Sequence, residues 1–306
     1  MEQGQEQPKK EPIGDVLKKY KANREEGIKP PSIPIVVNND IPKAPTFNPQ
    51  DFEKTMAKET DPDLMTSYEI VKLPSKGMFY TSRISEVNVE YMTSRDEDLL
   101  TTPSLLESGT VLNMLLKRKI KTAGITPEDL LPGDRNAIIL FLRSSSYGSE
   151  YTVTVTDPRN GITFKSVVDL LKLRYKEAQE LPDERGYFTV ELPMRKKTAT
   201  VRLLTSGEDN KIFRNAEAIK EAYNQEFNEY TTMKLKAHIV AINEHTDRTY
   251  IDKFVDAMPA LDAYTIRKKV TEVSPDVDMA YEFEAKDGFK FNATLSVGID
   301  FFFPNT

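Results

Sequence analysis

Three consecutive serines, Ser144-Ser145-Ser146, are the residues best typed for nucleophilic chemistry. A serine nucleophile needs a base within hydrogen-bond reach. The chain has two histidines, His238 and His245, and none precedes residue 238. No Gly-x-Ser-x-Gly elbow surrounds the run. The serines are therefore read as a helix end, with Gly148 as its stop. His238 and His245 stand seven apart near the end of an expected helix, with no carboxylate at matching helical spacing. A metal pair is not expected there, and both read as ordinary surface or half-buried histidines. Asp61 and Asp63 begin like a calcium loop, but no downstream glycine and glutamate complete it. Asp96-Glu97-Asp98 reads as a helix start, and spacing alone nominates no carboxylate pair for glycoside hydrolysis. There is no phosphate loop and no Gly-x-Gly-x-x-Gly. Cysteine is absent, which excludes disulfides, thiol catalysis and cysteine-zinc sites together. The chain is read as no enzyme, with no cofactor and no metal.

Lys117, Arg118, Lys119 and Lys121 crowd the end of another expected helix. A nucleic-acid patch is one reading; cations favoured by the helix dipole are the preferred one. The net charge of -6 also argues against a general nucleic-acid binder. No run of about 18 apolar residues spans a membrane. The N-terminus lacks the apolar core of a secretory signal, which predicts an intracellular product.

The elements that must position these residues follow from periodicity. Tyr68, Ile70 and Lys72 alternate as a strand does, and so do Val87, Val89 and Tyr91. Between them Pro74 and Gly77 force a turn. Ser94 and Glu97 match a capping box, Pro103 breaks that helix, and Ser108 caps the next, with Val111, Leu112, Leu115 and Leu116 as its apolar stripe. Thr126-Pro127-Glu128-Asp129 starts a turn of helix. Asp134 caps a third helix containing Ile138, Ile139, Phe141 and Leu142. Strands at 151–156 and 162–164 flank the turn Asp157-Pro158-Arg159-Asn160-Gly161. Val167, Leu170, Leu171 and Tyr175 are read as a helix face. A hairpin at 188–192 and 199–203 precedes a long helix from Ser206 to Ala241. Short helices are expected at 250–258 and 261–272. A hairpin at 280–285 and 289–295 turns through Asp287-Gly288.

The fold class expected is α+β: several helices with separate antiparallel β-hairpins, preceded by an extended N-terminal arm. Residues 1–65 hold nine of the 19 prolines and few patterned apolar residues. That composition predicts a flexible arm, since it buries too little surface to offset its ordering entropy alone. Ile13, Val16, Leu17 and Tyr20 fit one short amphipathic helix. Ile33, Ile35 and Val37 are the arm's expected docking residues, by strand addition to a neighbouring subunit. Residues 66–306 form the globular region, with a sub-boundary near 205. The terminal Phe301-Phe302-Phe303 is costly if exposed. It either folds into the core, the preferred reading, or makes a subunit contact.

Three segments together carry a family resemblance. They are Leu73-Pro74-Ser75-Lys76-Gly77 with the following strand and helix, Leu140 to Gly148 (Leu-Phe-Leu-Arg-Ser-Ser-Ser-Tyr-Gly), and Leu295 to Pro304 with its Phe-Phe-Phe-Pro. In that order and at those distances, the chain from about residue 68 to its end resembles the T4-type bacteriophage baseplate hub protein family. The resemblance implies a structural component of a phage tail baseplate or hub, acting by subunit contacts in tail assembly. Its alternatives are a hub assembly chaperone absent from the virion and a wall-degrading hydrolase, which the missing catalytic constellation disfavours. The implied partners are other tail or baseplate subunits, with no nucleic acid, membrane or small-molecule substrate. The implied location is the virion tail, and the host cytoplasm during assembly. Ile33, Ile35, Val37, Phe301, Phe302 and Phe303 are the interaction residues expected. Relatives often carry Cys-x-x-Cys-Gly in two hairpin turns, suggesting zinc. Here those turns read Asp157 to Gly161 and Glu284-Ala285-Lys286-Asp287-Gly288, a poor donor set for zinc. Packing among Tyr151, Phe164, Phe283, Phe289 and Phe291 is expected to hold the two hairpins together instead.

Overall fold

A computed structural model describes residues 67–103, 105, 110–295 and 299–303. Among them are seven α-helices and five small antiparallel sheets, an α+β fold. β1 (Tyr68–Lys72) and β2 (Glu86–Glu90) pair with Val71, Val87 and Val89 buried. α1 is Ser94–Leu100, α2 is Val111–Lys119, and α3 is Pro132–Tyr147. β3 (Glu150–Thr156) and β4 (Thr163–Asp169) form a hairpin. β5 (Tyr175–Lys176) pairs with β9 (Asp276–Val277). β6 (Tyr187–Leu192), β7 (Lys197–Arg202) and β8 (Ile239–Ile242) make a three-stranded sheet. The helices around it are α4 (Ser206–Ala222), α5 (Tyr230–His238), α6 (Arg248–Asp256) and α7 (Ala260–Val273). β10 (Ala280–Glu284) and β11 (Lys290–Thr294) close the described β-structure, before a 3-10 turn at Ile299–Phe302.

Two hydrophobic cores form. The first joins β1 and β2, α1 to α3, both outer hairpins and Phe301 and Phe302. The second is built on β6 to β8 with α5 to α7, from Phe188 to Val273. Phe79 and Leu203 pack against both.

Several local expectations change, each through a tertiary partner. The cap of α1 is Thr93 with Asp96, not Ser94 with Glu97: the Asp96 carboxylate accepts from the Thr93 N–H at 2.8 Å and its hydroxyl at 2.9 Å. Asp96 is fully buried against Lys119, 2.5 Å away, and this ion pair sets the cap position. Ser108 lies outside the described residues; the residue before α2 is Thr110. Thr126 to Asp129 keeps its box, with Asp129 accepting from Thr126, yet forms only a turn. Leu131 must be extended before Pro132, so a helix cannot run through. α3 then starts on Pro132 itself, and Asp134 lies inside its first turn instead of capping it.

The helix face read at 167–175 is strand β4 prolonged to Asp169, a 3-10 turn at Leu170–Lys172, and β5. Ladder pairing with β3 extends the strand beyond its short local signal. The long helix from Ser206 breaks after Ala222, where Asn224 takes a left-handed φ of 48°. Ile239 to Ile242 leaves the helical path to join the edge of β7.

Asp134 is the junction of the first core. Its buried carboxylate accepts from the Ser75 N–H at 2.8 Å and from the Tyr80 hydroxyl. The Tyr80 oxygen in turn accepts from the Leu131 N–H at 2.9 Å, satisfying a backbone donor at the helix entrance. Burial pushes the Asp134 carboxyl up, partly offset by its donors; burial and then Asp134 push the Tyr80 phenol up. Gly77 closes the turn with φ 73°, where a Cβ would sit 2.6 Å from the Arg83 carbonyl oxygen. At Gly133 a Cβ would meet the Pro275 carbonyl oxygen at 2.1 Å, so α3 approaches the 275–276 backbone as only glycine permits.

Tyr80→Phe strands the Leu131 N–H and one acceptor of Asp134, and is expected to cost about 1–3 kcal/mol in urea denaturation. An unchanged midpoint would remove this network from the stabilising contacts.

Candidate functional site

The three segments of the resemblance meet on one helix. Leu73 to Tyr80 wraps the first turn of α3 through Asp134. Leu140 to Gly148 is the second half of α3 and its C-cap, Gly148 having φ 83°. The terminal phenylalanines dock where Arg143 leaves that helix. Arg143 is 1% exposed. Its Nε donates to the Phe301 carbonyl at 2.7 Å, Nη1 to the Gly148 carbonyl at 3.0 Å, and Nη2 to the Glu150 carbonyl at 3.4 Å. The guanidinium also lies over the Tyr147 and Tyr151 rings, at 5.3 and 5.7 Å. Tyr151 meets Phe301 edge-on at 4.9 Å. Phe301 and Phe302 are thus inside the chain's own core, while Phe303 is only half-buried against it. Ile33, Ile35 and Val37 lie outside the described residues.

The two hairpin tips also come together. Arg159 Nη2 lies 2.7 Å from Asp157 Oδ2 in its own turn and 2.9 Å from Asp287 Oδ2 in the other. Its guanidinium covers the Phe289 ring at 3.8 Å. Below it, Phe164 meets Phe291 edge-on, and Phe283 and Phe289 flank Phe291. Aromatic packing therefore joins the hairpins through Phe164, Phe283, Phe289 and Phe291 as expected, while the Tyr151 ring meets Phe301, and an Asp-Arg-Asp bridge, which the sequence reading missed, is added. Hydrogen bonds from Arg159 hold the Asp157 and Asp287 carboxyls below the usual range.

The residues typed for chemistry are used structurally. Ser144 and Ser145 donate to the Phe141 and Leu142 carbonyls one turn back. Contrary to the surface or half-buried reading, His238 is buried; its Nδ1 sits 2.7 Å from the Arg202 carbonyl, so that nitrogen carries the proton. Burial lowers its pKa and keeps the ring neutral at pH 7. The His245 ring lies tilted against that of Tyr250 instead, centroids 4.6 Å apart. Three of the four cations crowding α2 meet carboxylates: Lys119 and Arg118 on Asp96, Lys119 and Lys121 on Glu90. A cavity of about 800 Å³ runs between α5, α7 and the start of α3, but its Asp209 and Lys234 are paired at 2.9 Å. Among the described residues no group of three His, Asp or Glu is placed to hold a metal ion. Nor is any helix among them long and apolar enough to cross a membrane.

The family model of the T4 bacteriophage base plate protein matches residues 65–303, more than three-quarters of the chain. The chain belongs to this family. Its role is that of a structural protein of a phage baseplate, a protein that works among other phage structural subunits. Neither the curated proteins nor the solved structures contain a match to this baseplate protein. The matched span covers the first two segments gathered on α3, the third as far as Phe303, and both hairpins joined by Arg159. Arg143 could have been suspected from sequence, as a lone cation after the apolar run Ile138 to Leu142; Arg159 gave no such signal.

Arg143→Met removes three carbonyl partners from a buried site, and a loss of about 2–4 kcal/mol is expected. Exposure of the Phe301 region to a dye for apolar surfaces should accompany it; a stable variant without that exposure would count against the role of Arg143. The tip bridge has depressed carboxyl values in the fold. Its contribution is therefore present above the unfolded range near pH 4 and is lost as pH falls through the folded values. The protection factors of the Gly161 and Gly288 amides, taken against the intrinsic exchange rate at each pH, should fall on acidification below about pH 4, and in Arg159→Ala should already be low at pH 7.

Proposed function

We propose that this baseplate protein is a permanent part of the tail hub and acts by burying surface between subunits, with no turnover. The family match over residues 65–303 carries the reading. The use of Ser144, Ser145, His238 and the α2 cations as structural groups supports it, since none is left arranged as a catalytic constellation. Its partners are other tail and baseplate subunits, and its place is the virion, after assembly in the host cytoplasm. The N-terminal arm supplies contacts through Ile33, Ile35 and Val37, gaining contact area as it loses conformational freedom. At the other end Phe303, still half-exposed, is a rim contact, while Phe301 and Phe302 hold the surface that presents it.

Mass spectrometry of purified particles, with limited proteolysis of the free protein and of the particle, tests this. The protein should be present in the particle, with residues 1–65 cut rapidly when free and protected when assembled. Absence from finished particles would replace the structural reading with an assembly chaperone. Presence with an arm still cut rapidly would make the arm a tether and remove its residues from the contacts.

A further inference from the structure

The sheet of β1 and β2 has one covered edge and one open edge. On the covered side the Lys121 N–H donates to the Asn88 carbonyl at 2.9 Å, and the Asn88 N–H donates to Thr122 Oγ1 at 2.8 Å. On the other side the phase of the ladder is fixed by Tyr91 N–H to the Ser67 carbonyl and Leu73 N–H to the Ser85 carbonyl. Pairing alternates along an antiparallel strand. Ser67, Glu69, Val71 and Leu73 therefore point their backbone groups at β2, and Tyr68, Ile70 and Lys72 point theirs outward. The Lys72 carbonyl is taken by the Tyr175 hydroxyl at 3.1 Å. Among the described residues, the backbone groups of Tyr68 and Ile70 meet no partner. The side chains beside them are apolar and exposed: Tyr68 by 62%, Ile70 by 55% and Tyr175 by 44%. Edges are ordinarily blunted by lysine, proline or a covering loop, because unpaired backbone groups template a further strand. Nothing of that kind stands at Tyr68 and Ile70.

We propose that this edge receives an added strand from the Ile33 to Val37 stretch of a neighbouring copy of the chain. The proposal deepens the reading of the arm as an assembly element and rests on it. Three features of the sequence fit. Ile33, Ile35 and Val37 alternate, so they share one phase of an extended strand. If those three pair with β1, Pro34 falls in the outward phase, where a missing N–H costs no ladder bond and stops further addition. Residues 38–66, 29 in number, separate the stretch from the described fold and reach roughly 95 Å when extended, enough to leave one subunit and meet the next. Carrying both edge and strand makes every copy donor and acceptor, a head-to-tail arrangement that closes into a ring when the rotation allows.

The absence of native cysteine makes cross-linking clean. Full-length Ile70→Cys is mixed with full-length Ile35→Cys and oxidised, with Ile33→Cys and Val37→Cys covering the neighbouring register. Opposed strand positions bring Cβ atoms close to disulfide range. A disulfide-linked dimer of one copy of each variant is expected. It should be lost when Tyr68→Pro is added to the Ile70→Cys chain, because that amide points away from β2. Tyr264→Cys, exposed on α7, is the control acceptor and should give no dimer with Ile35→Cys. A disulfide formed only within a dilute Ile35→Cys/Ile70→Cys double variant would overturn the neighbouring-copy assignment. Equal yields at positions 70 and 264, or no cross-link at all, would overturn the edge itself. The hub reading is judged separately, by the protein's presence in particles, so the two failures are distinguishable.

Discussion

The fold of this baseplate protein depends on one buried carboxylate at the start of one helix. Asp134 in the first turn of α3 accepts from a backbone N–H and a phenol that belong to a turn some sixty residues earlier. That phenol accepts in turn from the helix's own entrance. The network converts a proline- and glycine-bearing turn into a fixed lid on α3. It also explains why burial is tolerated: the buried carboxylate and the phenol are hydrogen-bonded, which is the condition for placing such groups in a core. The close approach at Gly133 brings the 275–276 backbone against the same turn, so β9 and the last hairpin inherit their position from it.

The far end of α3 repeats the arrangement with the opposite charge. Arg143 is satisfied by three carbonyls and two aromatic faces, and those carbonyls belong to the helix cap, to β3 and to the chain's last described turn. A planar guanidinium suits this, since its donors point in fixed and different directions. The hairpins that leave this end are short and would be marginal alone. Edge-on aromatic packing of Phe164 on Phe291 and the Asp157–Arg159–Asp287 bridge give them each other as support. The exposed part of that bridge contributes little stability, as surface ion pairs do.

For a structural protein of a phage baseplate, the distribution of polar groups is informative. Ionisable side chains inside the described fold are committed to internal partners: Asp96 to Lys119, Asp134 to Tyr80, Arg143 to carbonyls. Among the described residues, the β1 edge leaves the backbone groups of Tyr68 and Ile70 unused, with apolar side chains beside them. Those are materials of association.

From the sequence alone, composition and periodicity determined the α+β class, the hairpins with glycine turns and the two late helices, expected at 250–258 and 261–272 and formed at Arg248–Asp256 and Ala260–Val273, because those signals are local and strong. The proline-rich arm and its alternating Ile33, Ile35 and Val37 are likewise properties of the sequence. Tertiary structure decided whatever depended on a distant partner. Thr93 replaced Ser94 as the cap because Asp96 meets Lys119. Val167 to Asp169 became strand because β3 pairs with it, and Ile239 to Ile242 became strand because β7 offered an edge. Asp134 carried no local signature of its buried role, and the place of Arg143 after an apolar run hinted at burial without naming its partners, since a buried charge is tolerable only when donors or acceptors far along the chain converge on it. That convergence is a fact of three dimensions.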